Sequence, residues 1–383
     1  MVSRPLLGGA LTIILIAAIV VAWFGLGRKI DDQTQPATDA SACLEGRADV
    51  PIIADPGVAP GLEKIAAAYN ATRPVVRDHC ITIAVRPGDA KATLDALDAK
   101  TWDAASNGAR PAAWIPESSV WLATLQTEKP DAIAGAADSL VYSPVVYAVR
   151  NEMAEAAQGR VRWDQMAELT YASAFEAYGH TDITGSARLA MPQGPQSDAT
   201  AVAAQAYATA TAGGKLTEAA ATGDEIQGGL HQLMLTTFTA GDGTEEGIVK
   251  AIGDYPDMDA AKVRSVPISE QRLYVATKDD TEKKVSIIRP KGATPSLDYP
   301  VIALAGDVPA EASDAVSEFF TFARKPEQMK VLTMMGFRGD GPLPEATATV
   351  DFPKIEDRMP TPDPAASVAI TRVVLPSAAP TRK

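Results

Sequence analysis

Three histidines (His79, His180 and His231) and two cysteines (Cys43 and Cys80) are all that 383 residues offer for soft-metal or thiol chemistry. No two histidines stand at a metal-ligand spacing, and there is no Cys-x-x-Cys pair. A Gly-x-Ser-x-Gly nucleophile elbow and a Gly-x-x-x-x-Gly-Lys-Ser/Thr phosphate loop are both missing. Gly241-Asp242-Gly243 with Gly247 misses Gly-x-Gly-x-x-Gly by one residue and carries acids where phosphate would sit. The expectation is a protein that is not an enzyme and uses no metal and no cofactor. What remains is a set of polar turns: Asp55-Pro56-Gly57, Arg86–Asp89, Pro116–Ser119, Gln193–Asp198 and Ser269-Glu270-Gln271. Hydroxyls, a carboxamide and carboxylates in such turns can hydrogen-bond a ligand without transforming it.

Each of these turns lies between an apolar run and a helical pattern, so secondary structure must bring them together. Val50–Ala54, Ile81–Val85 and Ala112–Ile115 read as short strands. The first leads to GLEKIAAAYN, where Leu62, Ile65, Ala66 and Tyr69 follow i, i+3, i+4, i+7 and define one buried face. Repeated units of strand, turn and helix imply a parallel sheet with helices on its faces. Leu140–Val149 is a longer β-branched and aromatic run; Pro144 within it predicts an edge or crossing strand. Further strands are expected at Arg188–Met191, Val263–Ile268 and Val285–Arg289, with a return crossing at Tyr299–Leu304. Two amphipathic helices close the pattern, Ala312–Phe322 and Pro326–Met335. The end, residues 353–383, is rich in proline and small residues and reads as a linker or unstructured tail.

The hydrophobic fraction of 46% and the charged fraction of 22% leave ample core. The formal charge is −13; residues 1–29 hold three basic residues and no acid, so the rest stands at −16. An acidic body argues against nucleic acid as a partner. Leu6–Leu26 contains no charge over 21 residues and is long enough to span a bilayer, so residues 6–26 read as a transmembrane signal-anchor. A cleaved signal peptide is the alternative, though its apolar region usually runs only about 7–15 residues. Residues 30–44 are polar and small, a tether. If the first two strands are parallel neighbours, Cys43 and Cys80 fall at one edge of the sheet and can pair; two buried thiols are the alternative. Pairing favours an oxidising, extracytoplasmic compartment.

The succession VPIIADPGVAPGLEKIAAAYN, ITIAVRPGDAKATLDAL, AAWIPESSVWLATL and SLVYSPVVYAVR resembles the first lobe and crossing strand of a type 2 periplasmic (extracellular) solute-binding protein. RLAMPQGPQSDATAVAA, VPISEQ, LDYPVIAL and EFFTFARKPEQMKVLTMMGFR resemble the second lobe and the return to the first. The chain is similar in particular to bacterial membrane-anchored versions in which this domain precedes a von Willebrand factor A domain. No Asp-x-Ser-x-Ser metal-ion motif of that partner domain occurs in these residues, so its function is not carried over.

The resemblance implies an α/β bilobal fold with two crossing segments over residues 45–350. Lobe 1 would comprise about 45–140 and 300–350, and lobe 2 about 145–298. Closure on a ligand would be a hinge motion. The cleft would lie where turns leave the carboxyl ends of strands. That places Asp55, Pro56, Gly57, Ser118, Ser119, Ser197, Ser269, Glu270, Gln271 and Tyr299 at the ligand. Ser118 and Ser197 equally suit N-capping, and Glu270 equally suits solvent or a pair with Arg272. Asp55, Asp89 and Glu117 together would repel an anion. The expected function is a single-pass, membrane-anchored extracytoplasmic protein that captures a small polar solute. Its other partners would be lipid through the N-terminal helix and an ABC-type permease or an envelope protein. The alternative is a cell-envelope interaction or sensory module without uptake.

Overall fold

A computed structural model describes residues 43–99, 101–157, 159–174 and 185–378. The expected anchor at 6–26 and most of the tether lie outside them, as does His180. Among the described residues no helix is long and apolar enough to cross a membrane.

Lobe 1 opens with β1 (Gly46–Ala54), which buries Val50, Ile52, Ile53 and Ala54 in its second half because helices cover both faces there. Helix α1 (Ala59–Ala71) starts at a proline-bearing first turn and buries Leu62, Ile65, Ala66 and Tyr69, the face read from the periodicity. There follow β2 (Val75–Val76), β3 (His79–Pro87), α2 (Ala90–Asp98), α3 (Ala104–Asn107), β4 (Ala113–Ile115) and α4 (Ser119–Glu128). The sheet order is β2-β3-β1-β4-β9, where β9 is Ile302–Ala303 on the return path. β3 and β4 both run parallel to β1, in registers that set Ala54 beside Pro87 and beside Ile115. The carboxyl ends of all three strands therefore share one edge, and the loops at Asp55, Asp89 and Glu117 converge there.

The opposite edge carries the cysteines. Gly46 pairs with His79 and Arg47 with Cys80, so Cys43 meets Cys80 and they form a disulfide.

Lobe 2 is built on β5 (Ser143–Val149), α5 (Asn151–Ala157), α6 (Asp198–Thr211), α7 (Glu218–Ala221), α8 (Asp224–Leu235), α9 (Glu245–Asp254), β6 (Ser265–Ser269), α10 (Glu270–Thr277), β7 (Ser286–Ile288) and β8 (Ser296–Leu297). β5 lies between β6 and β7, antiparallel to both, and every residue in it is buried. Of the two positions expected from Pro144, edge or crossing, the edge is therefore wrong, and the strand instead follows the crossing at 138–142. Pro144 stands opposite Ser296 of β8, one residue before the ladder to β6 begins at Val145, so its missing N–H interrupts no pair with β6.

The lobes are joined where residues 138–142 pass 299–301, with Leu140 N–H on the Tyr299 carbonyl (3.1 Å) and Val301 N–H on the Asp138 carbonyl (3.0 Å). The chain then completes lobe 1 with α11 (Ala310–Ala323) and α12 (Pro326–Thr333). Tyr69 of α1 packs edge-on against Phe319 and Phe322 of α11, at 5.6 and 5.4 Å between ring centroids.

After Gly341 the chain crosses a third time. Val350 enters the apolar cluster of Val146, Ile248 and Ile268 in lobe 2, and Asp351 pairs with Arg289. The tail expected to be a linker then folds as α13 (Pro364–Val374), with Ala366, Ile370, Thr371 and Val374 fully buried. Proline at its first position begins this helix without breaking it.

Because 37 positions separate Cys43 from Cys80, the chain-entropy model credits the bridge with about 4 kcal/mol. Cys80→Ser is expected to unfold at a clearly lower urea concentration than the oxidised parent. An unchanged midpoint would show that the bridge contributes nothing to stability.

Candidate functional site

Three carboxylates are delivered by the strand ends of lobe 1. Asp55 follows β1 in a tight turn, its Oδ1 accepting from Gly57 N–H (2.8 Å) while its carbonyl accepts from Val58 and Ala59. Asp89 caps α2 by accepting from Ala92 N–H at 2.7 Å. Glu117 lies between β4 and α4 and is almost wholly buried. Lobe 2 adds Asp198 at the first turn of α6 and Glu245 at the first turn of α9, both buried. Acidic side chains at helix N-termini are favoured by the exposed N–H groups there.

One guanidinium faces this set. Arg272, in the first turn of α10, sets its Nε 2.9 Å from Glu117 Oε1, an ion pair across the two lobes. Its Nη1 donates to the Gln196 carbonyl at 2.9 Å and lies 3.4 Å from Glu246 Oε1 and 3.9 Å from Glu245 Oε2. Gln196, held at φ +57°, reaches back with Nε2 to Asp55 Oδ2 at 3.4 Å. A second tie joins α4 to α6: Ser118 Oγ donates to Asp198 Oδ2 (2.6 Å), and Trp121 Nε1 lies 2.9 Å from both Asp198 oxygens.

Two cavities open between the lobes, and they share Pro56 and Gln196. The inner one, about 210 Å³, is lined by Asp55, Asp89, Glu117, Gln196 and Asp198. The outer one, about 840 Å³, lies between Gly57, Pro60 and Met335 of lobe 1 and α9 and α10 of lobe 2, with Arg272 and Gln271 in its wall. The charges converge on the smaller cavity, where a polar solute would be read.

The candidates from sequence divide accordingly. Asp55, Pro56, Gly57 and Gln271 line the cavities. Ser118 caps α4 and ties Asp198. Ser119 donates through its N–H and hydroxyl to Asp298. Ser197 is buried at the start of α6 without a side-chain cap bond. Ser269 caps α10, accepting from Arg272 N–H at 3.2 Å. Glu270 is turned away from the cleft, with its carboxylate between Arg338 (2.7 Å) and Arg289 (3.2 Å). Tyr299 lines neither cavity; it is fully buried at φ +39° and edge-on to Phe337 at 5.1 Å. Arg272, Gln196, Asp198 and Glu245 were not singled out as ligand contacts. One signal was available: if Ser269 caps the helix, Glu270 and Arg272 are about 200° apart on it, and only one can face the cleft.

Burial raises the pKa of Asp55, an effect partly offset by Arg272. It lifts Glu117 far more strongly, with Arg272 opposing and Asp55 and Asp198 reinforcing the rise. Asp198 is pushed up to about 6 by burial against its bonds from Ser118 and Trp121, and Glu245 to about 8 by burial against Arg272. Burial pulls Arg272 down, but Glu117 and Glu245 outweigh it, so it keeps its proton.

Folded Glu245 thus holds its proton to about pH 8, whereas an unfolded glutamate releases it at about 4.3. The folded state binds more protons across that window, so stability is fully present below about pH 4 and falls as pH rises towards about 8. Glu245→Gln should flatten this decline and be more stable than the parent by about 1 kcal/mol or more near pH 8. Urea unfolding at about pH 5 and about pH 8 reads both effects; an unaltered slope would place the pH dependence elsewhere.

Comparison with known proteins supports the same architecture. The model of a family described as bacterial extracellular solute-binding proteins matches residues 50–338. Two curated relatives, both uncharacterized proteins from strains of Mycobacterium tuberculosis, are 28% identical over 357 residues. The match takes in 92% of this chain and 51% of each relative, so the chain spans about half their length. Among solved structures, iron-bound HitA from Pseudomonas aeruginosa is similar at a TM-score of 0.55 and 13% identity, covering 85% of this chain and 99% of that one. AfuA from Actinobacillus pleuropneumoniae, with fructose-6-phosphate bound, gives 0.51 at 12% identity over 86% and 96%. At such identities the likeness speaks to the fold alone. With three quarters of its length matched by the family model, two lobes and a cleft at the strand ends, the chain belongs to the bacterial extracellular solute-binding proteins.

Proposed function

We propose that this protein captures a small polar solute, neutral or cationic, in the inner cavity between its lobes, without turnover. The observation that carries this is the lining of that cavity: Asp55, Asp89, Glu117 and Asp198 converge on about 210 Å³, with Arg272 paired to Glu117 beside it. A dianion entering such a space would meet like charge in a medium of low dielectric. A hydroxyl-rich or ammonium-bearing solute would find acceptors instead. The outer cavity serves as the vestibule. Membrane anchoring through residues 6–26 and delivery to an ABC-type permease complete the reading; they rest on the apolar run and on the family.

A second reading is favoured by one observation. Ser118, Trp121 and Asp198, with Arg272 and Glu117, already tie the lobes together across the cleft. A cleft closed by its own side chains suits an envelope interaction or sensory module on the same fold.

Thermal unfolding with a panel of amines, amino acids, sugars, metal ions and inorganic anions separates the two. A bound solute at 100-fold above its Kd adds about 2.7 kcal/mol. The expected result is stabilisation by an amine, amino acid or sugar, lost in Asp55→Asn, and none by phosphate or sulfate. No shift with any class, together with co-purification of an envelope protein, would establish the second reading.

A further inference from the structure

We propose that α13 is a strap that holds the two lobes at a fixed separation, so that solute enters a cleft of constant width through the outer cavity. Closing by a hinge requires each lobe to keep its own packing while the contacts between lobes change. Here one rigid helix is packed on both. On the lobe 1 side it runs along α4, and just beyond it the Ala378 carbonyl accepts from the Thr124 hydroxyl. On the lobe 2 side it packs against α6, α7 and α8. There Gln205 Nε2 donates to Ser367 Oγ (2.9 Å) and Gln193 Nε2 to the Val374 carbonyl (3.1 Å).

The residues making these contacts combine small side chains, Ala366, Ser367 and Thr371, with the apolar Ile370 and Val374. Ala366, Ile370, Thr371 and Val374 have no exposed surface, and Leu375 almost none. One apolar cluster runs without a break from Ile52 and Leu125 of lobe 1, through Ala366 and Ile370, to Ala203 and Leu230 of lobe 2. Any opening must strip α13 from one lobe and expose that surface. Beneath the strap, the bonds of Ser118 and Trp121 to Asp198 tie the same two helices, α4 and α6. α13 contributes nothing to the lining of the outer cavity, whose walls are α1, α9 and α10. The strap therefore constrains the lobes while leaving that entrance open.

The test uses the full chain with nitroxide labels at Glu63→Cys on α1 and Glu282→Cys beside α10, both exposed and on different lobes. Pulsed dipolar distances are expected to form one narrow distribution in the intact protein. In a chain ending at Pro362, or in Ile370→Glu at full length, the distribution should broaden and its mean should lengthen. Amide exchange of the intact chain supplies a readout that needs no variant: α13 should exchange in the same slow class as α4 and α6. The proposal is overturned by a broad or two-peaked distribution in the intact chain. It is equally overturned by a folded truncation whose distribution stays narrow and unmoved, or by fast exchange of α13 while α4 and α6 are protected. Should neither variant fold, the exchange pattern of the intact chain decides.

Discussion

The arrangement of the cleft depends on the guanidinium of Arg272. Asp55, Glu117, Asp198 and Glu245 come from two strand-end turns and two helix N-termini and are all withdrawn from water. Carboxylates gathered this way repel one another and lose hydration, so they stay together only by taking up protons or by sharing a cation. Both occur here. Arg272 sits against Glu117 and close to Glu245 and Glu246, while burial lifts the carboxyl pKa values towards neutrality. The pair to Glu117 is close but not aligned as a hydrogen bond, and Arg272 Nη2 has no hydrogen-bond partner among the described residues. The cluster therefore retains unmet hydrogen-bonding capacity.

The backbone explains why the charges meet. Parallel β1, β3 and β4 end together, and each end passes directly into a turn with a carboxylate. On the other lobe, α6, α9 and α10 begin at Asp198, Glu245 and Glu270, so three helix N-termini supply the facing side chains. Glu270 shows how finely this is set. Two positions before Arg272 on the same helix turn, it faces Arg338 and Arg289 and braces the return from lobe 1.

Much of the scaffold was legible because its signals are local. Apolar runs of four or five residues bounded by Asp-Pro-Gly and Pro-Gly-Asp mark β1 and β3, and the spacing of Leu62, Ile65, Ala66 and Tyr69 marks the buried face of α1. The pairing of Cys43 with Cys80 followed from treating those strands as parallel neighbours. The site was only partly legible, since which side chain of a turn faces the cleft depends on the helix phase and on the opposite lobe. Asp55 and Gln271 were recognisable as candidates; Asp198 and Arg272 are defined by partners about 75 to 155 residues away in the chain. α13 was hidden by composition. Alanine, serine and threonine read as linker until a neighbouring helix comes close enough to bury them, and Pro144 read as an edge or crossing strand until its position ahead of the β5–β6 ladder was known.

The disulfide has a further meaning as a matter of polarity. It pins the first described residue to the edge of the sheet where β1 begins, and the carboxylate turns leave from the edge where β1 ends. At about 3.3 Å per residue, nine residues of strand separate the two by roughly 30 Å. The lobe thus has a cross-linked pole and an acidic pole. The cleft therefore opens at the end of the lobe remote from the disulfide.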